Sequence, residues 1–347
     1  MENIQAFKNA KYGLMIHFGL YSLLGGVYRG KRGPTYAEWI ECEKKIPNSE
    51  MDKLANTFNP IYFDADYICS FAKECGMKYI VITTKHHEGF ALFKSKVDKF
   101  NCYDSSPCKR DLIKELADAC KKYNLKLGFY YSQCIDWRDP NGGGYTVDGK
   151  GSSGGSWDNN WDYTDRSIKN YEICFNNKII PQIKELMSNY GKVFLMWFDM
   201  PLDSTKAQSK KIYELVKSLQ PDCLINSRLG NGNFDYVSLG DNEIPDEIPN
   251  NISDDVDYND IGGFKKSPFG LYESACTLNN SWGYSSIDNN WKSPEKILEN
   301  RINLEKLGIN YLINIGPDWL GRIPYEAEQI LRKVQELYKK QVNNLKK

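Results

Sequence analysis

Short, unbroken apolar runs rich in β-branched and aromatic residues alternate along this chain with longer stretches in which apolar side chains return every three to four positions. The first pattern predicts strands buried on both faces, and the second predicts amphipathic helices. Strands are expected at Tyr12 to His17, Tyr79 to Thr84, Lys126 to Tyr131, Val193 to Phe198, Cys223 to Asn226, Asp235 to Ser238, Gly270 to Glu273 and Tyr311 to Ile315. Helices are expected at Asp64 to Cys75, Lys109 to Tyr123, Arg166 to Asn189, Thr205 to Leu219 and Pro294 to Leu307, with a last one from about Pro324 to the end. Gly76 follows the last turn of the first of these, and Ser293 with Pro294 reads as an N-cap and first-turn pair. Eight strands separated by helices predict βα units around a parallel sheet, an α/β fold of the (β/α)8 TIM-like barrel type. Residues 1–347 are expected to form that barrel as a single domain.

Two segments break the rhythm. Asp139 to Asp162, after the third strand, is rich in Gly and Ser; Asp246 to Lys266, after the sixth, is acidic and irregular. In a barrel, segments after strands lie on the C-terminal face, where long loops cover an active site. Each also fits a solvated insertion without a role.

Charge narrows the class of partner. The 45 basic and 45 acidic residues cancel, so no global field draws the chain to nucleic acid or to an anionic membrane. An uncharged partner is expected. No apolar run approaches the roughly 18 residues of a membrane span, and the first residues lack the pattern of a secretory leader. The ten cysteines are scattered without a C-x-x-C pair and read as thiols in a reducing compartment, so the expected location is cytoplasmic. Aromatic residues make up 13% of the chain. They either fill gaps between barrel and helices or supply the flat apolar faces that stack on a sugar ring.

A barrel enzyme draws its chemistry from residues just past strand ends. Those positions hold His17, the pair His86 and His87, Tyr131, Asp199, Arg228, Asp241 and Glu273, which include all three histidines of the chain. A metal site is the rival use of such a set. It is disfavoured because adjacent side chains of an extended segment point apart, and because no zinc-type histidine spacing is present. No metal or other cofactor is therefore expected. Carboxylates, imidazoles and aromatics together suit glycoside hydrolysis, which needs one ionised carboxylate at the reacting carbon and one protonated acid at the leaving oxygen. Asp199 fits the first role, since it follows a fully apolar strand with Trp197 two residues earlier on the same side. Asp241, Glu243 and Glu273 are the candidates for the acid, and the residue pattern does not rank them.

The chain resembles the α-L-fucosidases of glycoside hydrolase family 29 over essentially its whole length. The matching runs are Lys11 to Tyr21, Tyr36 to Trp39, Phe58 to Asp64, Thr83 to Phe90, Leu127 to Ser132, Met196 to Asp199, Asn226 to Arg228, Tyr272 to Glu273 with Trp282 to Tyr284, and Leu312 to Pro317. Nine runs in order, at strand-end spacing, form a specific signature. The resemblance implies a retaining exo-fucosidase with Asp199 as nucleophile. It implies that His17, Glu38, Trp39, His86, His87, Tyr131, Trp197, Arg228 and Trp282 hold the sugar. Many relatives carry a β-sandwich after the barrel; here none is expected, and a neighbouring subunit of a homo-oligomer is expected to complete the pocket.

The resemblance also bears on the acid. Aligning on Ile244 and Pro245 puts Asp241 at the family's acid position, while Glu273 aligns with a glutamate that lies near the site. Asp241 is therefore preferred, with Glu273 second. Such an acid must keep its proton near neutral pH, so burial or a nearby negative charge is expected around it. The short form and the run Gly240 to Pro245 look most similar to bacterial intracellular fucosidases that cleave α-1,6-fucosyl-N-acetylglucosamine. Two other readings stay open: a catalytically weak fucose-binding protein, and a metal-dependent barrel hydrolase.

Overall fold

The structure is a computed structural model, and it describes residues 2–145, 157–248 and 266–344. Helix α1 (Glu2–Ala10) leads into strand β1 (Tyr12–Ile16). Then come α2 (Tyr21–Leu24), the hairpin of β2 (Val27–Tyr28) and β3 (Lys31–Arg32), and helices α3 (Ile40–Lys44), α4 (Asn48–Ala55) and α5 (Ala65–Glu74). The chain continues through β4 (Tyr79–Lys85), α6 (Leu112–Tyr123), β5 (Lys126–Ser132), α7 (Tyr171–Cys174), α8 (Ile180–Asn189), β6 (Leu195–Asp199), α9 (Lys206–Leu219), β7 (Leu224–Ile225) and β8 (Val237–Ser238). It ends with β9 (Tyr272–Thr277), α10 (Pro294–Leu307), β10 (Asn310–Ile315) and α11 (Tyr325–Asn344).

Eight strands form one parallel sheet in the order β7, β6, β5, β4, β1, β10, β9, β8. A parallel bridge between Asn226 and Tyr236 joins the ends of the series. The ring is therefore closed in sequence order, which is the (β/α)8 barrel expected from the alternating pattern. All eight expected strands are present.

Strand alternation divides the core in two. Met15, Tyr79, Val81, Tyr130, Leu195, Trp197, Leu224 and Leu312 pack with one another inside the barrel. Their neighbours, including Leu14, Ile16, Ile80, Ile82, Phe129, Tyr131, Met196, Phe198 and Ile313, pack outward against the helices. Gly13 is inside as well, where an added Cβ would lie 2.4 Å from the Tyr79 ring. The N-terminal end is closed by α1, which was not foreseen. Its Phe7 ring packs 4.9 Å from that of Tyr236, and Asn310 Nδ2 donates to its backbone oxygen.

Helix ends follow their signals. Asp64, Asp111, Thr205 and Ser293 each accept a backbone N–H three residues on, and Gly76 takes a left-handed φ of 83° after α5. The single helix expected over Arg166 to Asn189 is broken instead. A 3-10 turn at Arg166–Ile168 precedes α7, and a π-type turn at Phe175–Ile179 joins α7 to α8. Pro181 explains the π turn, because it lacks an N–H and its ring would clash with a carbonyl four residues back in a regular helix. The middle of both irregular segments, 146–156 and 249–265, lies outside the described residues.

One ionic group fixes the turn after β4. Asp136, fully buried, meets Lys85 Nζ and Lys178 Nζ at 2.9 Å each, and Lys178 also reaches Asp98 at 2.7 Å. Burial works to raise the Asp136 carboxyl, but the two ammonium groups outweigh it and hold it at about 2. Its folded value thus lies below the ordinary value near 3.9. The stabilisation is present above that value and is lost as pH falls toward about 2. Asp136→Ala should cost about 3–5 kcal/mol in urea unfolding at pH 7, since it strands buried ammonium groups. It should also flatten the loss of stability between pH 4 and pH 2; an unchanged acid limb would show that the group does not titrate as described.

Candidate active site

At the C-terminal end of the barrel a cavity of about 180 Å³ is walled by Trp39, Trp157, Trp197, Trp282, Tyr36 and Tyr130 and by the polar groups of His17, Glu38, His86, His87, Asp199, Arg228 and Asp241. That volume is about six waters' worth, room for one small ring. A larger groove, about 910 Å³, opens among Lys114, Lys121, Lys126 and Lys192, and none of the strand-end groups lines it.

The histidines are held by the barrel interior. His17, just past β1, has its Nδ1 2.7 Å from Asn314 Oδ1, and Asn314 Nδ2 donates to the Trp282 carbonyl. An amide oxygen only accepts, so His17 carries its proton on Nδ1 and presents a bare Nε2. His87 Nδ1 lies 2.7 Å from Ser132 Oγ, whose own hydrogen goes to the Ile135 carbonyl. It follows that His87 also donates from Nδ1. Burial, then the neighbouring His86, pushes His17 down to about 3; burial and Lys85 do the same to His86, and His87 falls well below its ordinary value. All three rings are neutral at ordinary pH. His86 and His87 do not point apart as an extended segment would require: their ring centres are 4.0 Å apart and both line the cavity. The reason is that β4 ends at Lys85, so the pair sits in a turn. Among the described residues no three His, Cys, Asp or Glu groups come together as a metal site would need.

The carboxylates are arranged about one guanidinium. Asp199, the last residue of β6, is met by Arg228 Nη1 at 3.3 Å on Oδ1, and Tyr130 Oη donates to Oδ2 at 2.9 Å. Arg228 Nη2 meets Asp241 Oδ1 at 2.6 Å. The guanidinium itself lies over the Trp197 ring, 4.5 Å from its centre. Burial, against the pull of Arg228, moves the Asp199 carboxyl upward, and the nearby Asp241 adds to that. Asp241, with its side chain 29% exposed, has both the Arg228 guanidinium and the Asp199 carboxyl near it, the second being the neighbouring negative charge that was expected.

Glu38, buried and accepting the Gly283 N–H at 2.8 Å, is pushed up to about 7 by burial. Glu273 stands elsewhere. It belongs to β9, is fully buried inside the barrel, and accepts from Tyr79 Oη at 2.7 Å and from Trp197 Nε1 at 2.9 Å. It therefore does not line the cavity and supports the Trp197 ring from below. Glu243 accepts the Gly240 N–H and shapes the turn that carries Asp241.

Of the residues expected to hold a ligand, His17, Glu38, Trp39, His86, His87, Trp197, Arg228 and Trp282 line the cavity. Tyr131 does not. It faces outward, fully buried, and donates to Gln182 Oε1 at 2.7 Å. The wall position belongs to Tyr130, which pairs in register with Trp197 and so shares its inward face. Counting back by two from Ser132 or across to Trp197 would have found it. Tyr36, Trp157 and Met200 also line the cavity and were not assigned; only Tyr36 stood inside a matching run.

With this geometry in hand, known proteins resemble the chain closely. A family model described as alpha-L-fucosidase matches residues 1–342. The unliganded alpha-L-fucosidase AlfC from Lactobacillus casei is similar, with a TM-score of 0.91 and 52% identity over 99% of this chain and 100% of that one. A variant of AlfC in complex with Fuca(1,6)GlcNAc is similar to the same degree, again with a TM-score of 0.91 and 52% identity over 99% and 100% of the two chains. The tissue alpha-L-fucosidase of Mus musculus is 26% identical over 346 residues, 94% of this chain and 67% of that protein. The chain thus spans about two thirds of the length of the curated relatives it matches.

The inward and outward tyrosines separate experimentally. Tyr130→Phe removes a donor from Asp199 and should slow turnover about tenfold, the worth of one hydrogen bond to a charged group, with little change in melting temperature. Tyr131→Phe should leave turnover unchanged and cost about 1 kcal/mol in urea unfolding. The opposite pair of results would reverse the strand register.

Proposed function

The chain belongs to the α-L-fucosidase family, and from that premise we propose that it is a retaining exo-α-L-fucosidase acting by double displacement. The observation that carries the reading is the pair Asp199 and Asp241, joined by one guanidinium at an aromatic cavity the size of one sugar ring. In the first step the Asp199 carboxylate attacks the anomeric carbon. The glycosidic C–O bond breaks, and protonated Asp241 gives its proton to the departing oxygen. In the second step Asp241, now a base, takes a proton from water; the water oxygen bonds to the anomeric carbon and Asp199 leaves. Two inversions at one carbon give retention.

Arg228 tunes this pair. It balances the Asp199 charge in the resting site and ties Asp241 to it through the second arm of the guanidinium. The sugar is held against the indoles of Trp39, Trp197 and Trp282, which line the cavity, and by the bare Nε2 atoms of His17 and His87, which accept from sugar hydroxyls. Glu38 stands among them as a hydroxyl partner.

The favoured substrate in this proposal is α-1,6-fucosyl-N-acetylglucosamine. What supports it is the likeness, over 99% of the chain, to an AlfC variant in complex with Fuca(1,6)GlcNAc. The expected single-domain organisation, cytoplasmic location and homo-oligomeric state belong to the same proposal.

Stereochemistry tests the mechanism. NMR of a fresh digest should show α-fucose first; β-fucose first would mean inversion. Asp199→Ala should abolish turnover with the fold kept. Asp241→Ala should lose about 10²–10⁴-fold on a natural fucoside; on 4-nitrophenyl α-L-fucoside, whose leaving group departs without an acid, azide should restore activity by displacing Asp199 from the fucosyl-enzyme and yield α-fucosyl azide. Azide rescue of Glu273→Ala in its place would move the acid role to that residue. Absence of nitrophenol release by the unaltered protein would favour a fucose-binding role, and a panel of α-1,2, α-1,3, α-1,4 and α-1,6 fucosides reads the linkage.

A further inference from the structure

Two buried atoms beside the cavity have no hydrogen-bond partner among the described residues: His86 Nδ1 and Glu88 Oε2. They face each other at 3.6 Å. That gap is about half an ångström beyond a normal hydrogen bond, and closing it would spare both groups the cost of being buried unpaired. The carboxyl is already oriented for it. Its Oε1 accepts the Leu20 N–H at 3.3 Å and lies against Gly19, where an added Cβ would come within 2.2 Å of it. The other oxygen is thereby directed at the imidazole, while the far side of the ring faces the cavity.

A hydrogen bond between a carboxyl oxygen and Nδ1 needs one proton. It comes from the acid or from the ring, and the choice fixes what Nε2 offers to the cavity. The groups around Glu88 decide it. Tyr21 of α2, Glu41 of α3, Asp136 after β5 and Lys85 on its own segment all face it, besides His86. Lys85 is already engaged by Asp136, and neither oxygen of the buried Glu41 has a partner among the described residues. Among the described residues the setting has surplus acid and no uncommitted cation to hold Glu88 as an anion. Burial accordingly pushes the Glu88 carboxyl up to about 8.

We propose that Glu88 is a positioning residue for His86: as a carboxylic acid it donates to Nδ1 and leaves Nε2 as an N–H donor aimed into the cavity. His17 and His87 do the reverse, each presenting a bare nitrogen because its Nδ1 proton is committed to an acceptor. One imidazole donor between two imidazole acceptors sets the direction of the hydroxyl hydrogen bonds around a bound sugar. This last consequence rests on the fucosidase reading; the proton's position does not.

Because the chain has only 3 histidines, a long-range 1H–15N spectrum of the full protein resolves each ring. At about pH 6.5 His17 and His87 should be protonated on Nδ1 and His86 on Nε2. As pH rises through about 8, His86 alone should move toward the Nδ1 form, with KM for 4-nitrophenyl α-L-fucoside rising more than kcat falls. Glu88→Gln keeps both an oxygen for Leu20 and an N–H for Nδ1. It should hold the Nε2 form up to about pH 9 with kcat/KM within about threefold, whereas Glu88→Ala should lose the preference and about tenfold in kcat/KM. An Nδ1-protonated His86 at pH 6.5, or a tautomer indifferent to Glu88→Ala, would overturn the assignment. If Glu88→Ala does not fold, the unaltered protein and Glu88→Gln still decide it. Failure of the unaltered protein to release nitrophenol would sink the fucosidase reading and leave the spectrum to decide the tautomer.

Discussion

Closure of eight parallel strands into a ring leaves each strand residue only two destinations, the barrel interior or the layer beneath the helices. The site depends on that choice of side. Trp197 and Asp199 are inward on β6, Tyr130 and Ser132 are inward on β5, and the register between the strands brings Tyr130 beside Trp197. Asn314 on β10 and Glu273 on β9 are inward as well, and they support His17 and Trp197 from within the barrel. A slip of one residue on any strand would exchange a cavity wall for a helix contact.

Within that frame, burial sets the charge state of most groups and a few cations correct it. The three imidazoles are held neutral because their surroundings do not solvate a cation, and Glu38 and Glu273 are pushed up to about 7 for the mirror reason. Arg228 is the counterweight at the cavity, shared by Asp199 and Asp241 and stacked on Trp197. Lys85 and Lys178 play the same part for Asp136 behind the histidine turn. The neutral imidazoles are then free to act as directed hydrogen-bond partners, a use that suits an uncharged ligand better than a charged one.

Much of this was legible in the chain. Apolar runs, as short as Tyr236 and Val237 in the sixth, marked the eight barrel strands, because a strand buried on both faces shows little polar alternation. The long helices α5, α6, α9, α10 and α11 announced themselves by period, by Gly76 after α5 and by the Ser293 cap of α10. What escaped was short or interrupted. Helix α1 and the turns between Tyr21 and Ala55 carry too few periods to stand out, and the break at Phe175–Ile179 required weighing Pro181 against an otherwise helical pattern.

The sequence by itself determined the architecture, the nine runs that carry the family likeness, and the placing of His17, His86, His87, Asp199, Arg228 and Asp241 at strand ends, since those depend on order along the chain. Only the tertiary structure decided between Tyr130 and Tyr131, withdrew Glu273 from the cavity into the barrel, and turned His86 and His87 side by side. It also set Arg228 between two carboxyls and Glu88 against His86. These are matters of which face a side chain takes and which group from a distant strand meets it there. Apolar patterning specifies that a residue is buried; the closed ring specifies against what.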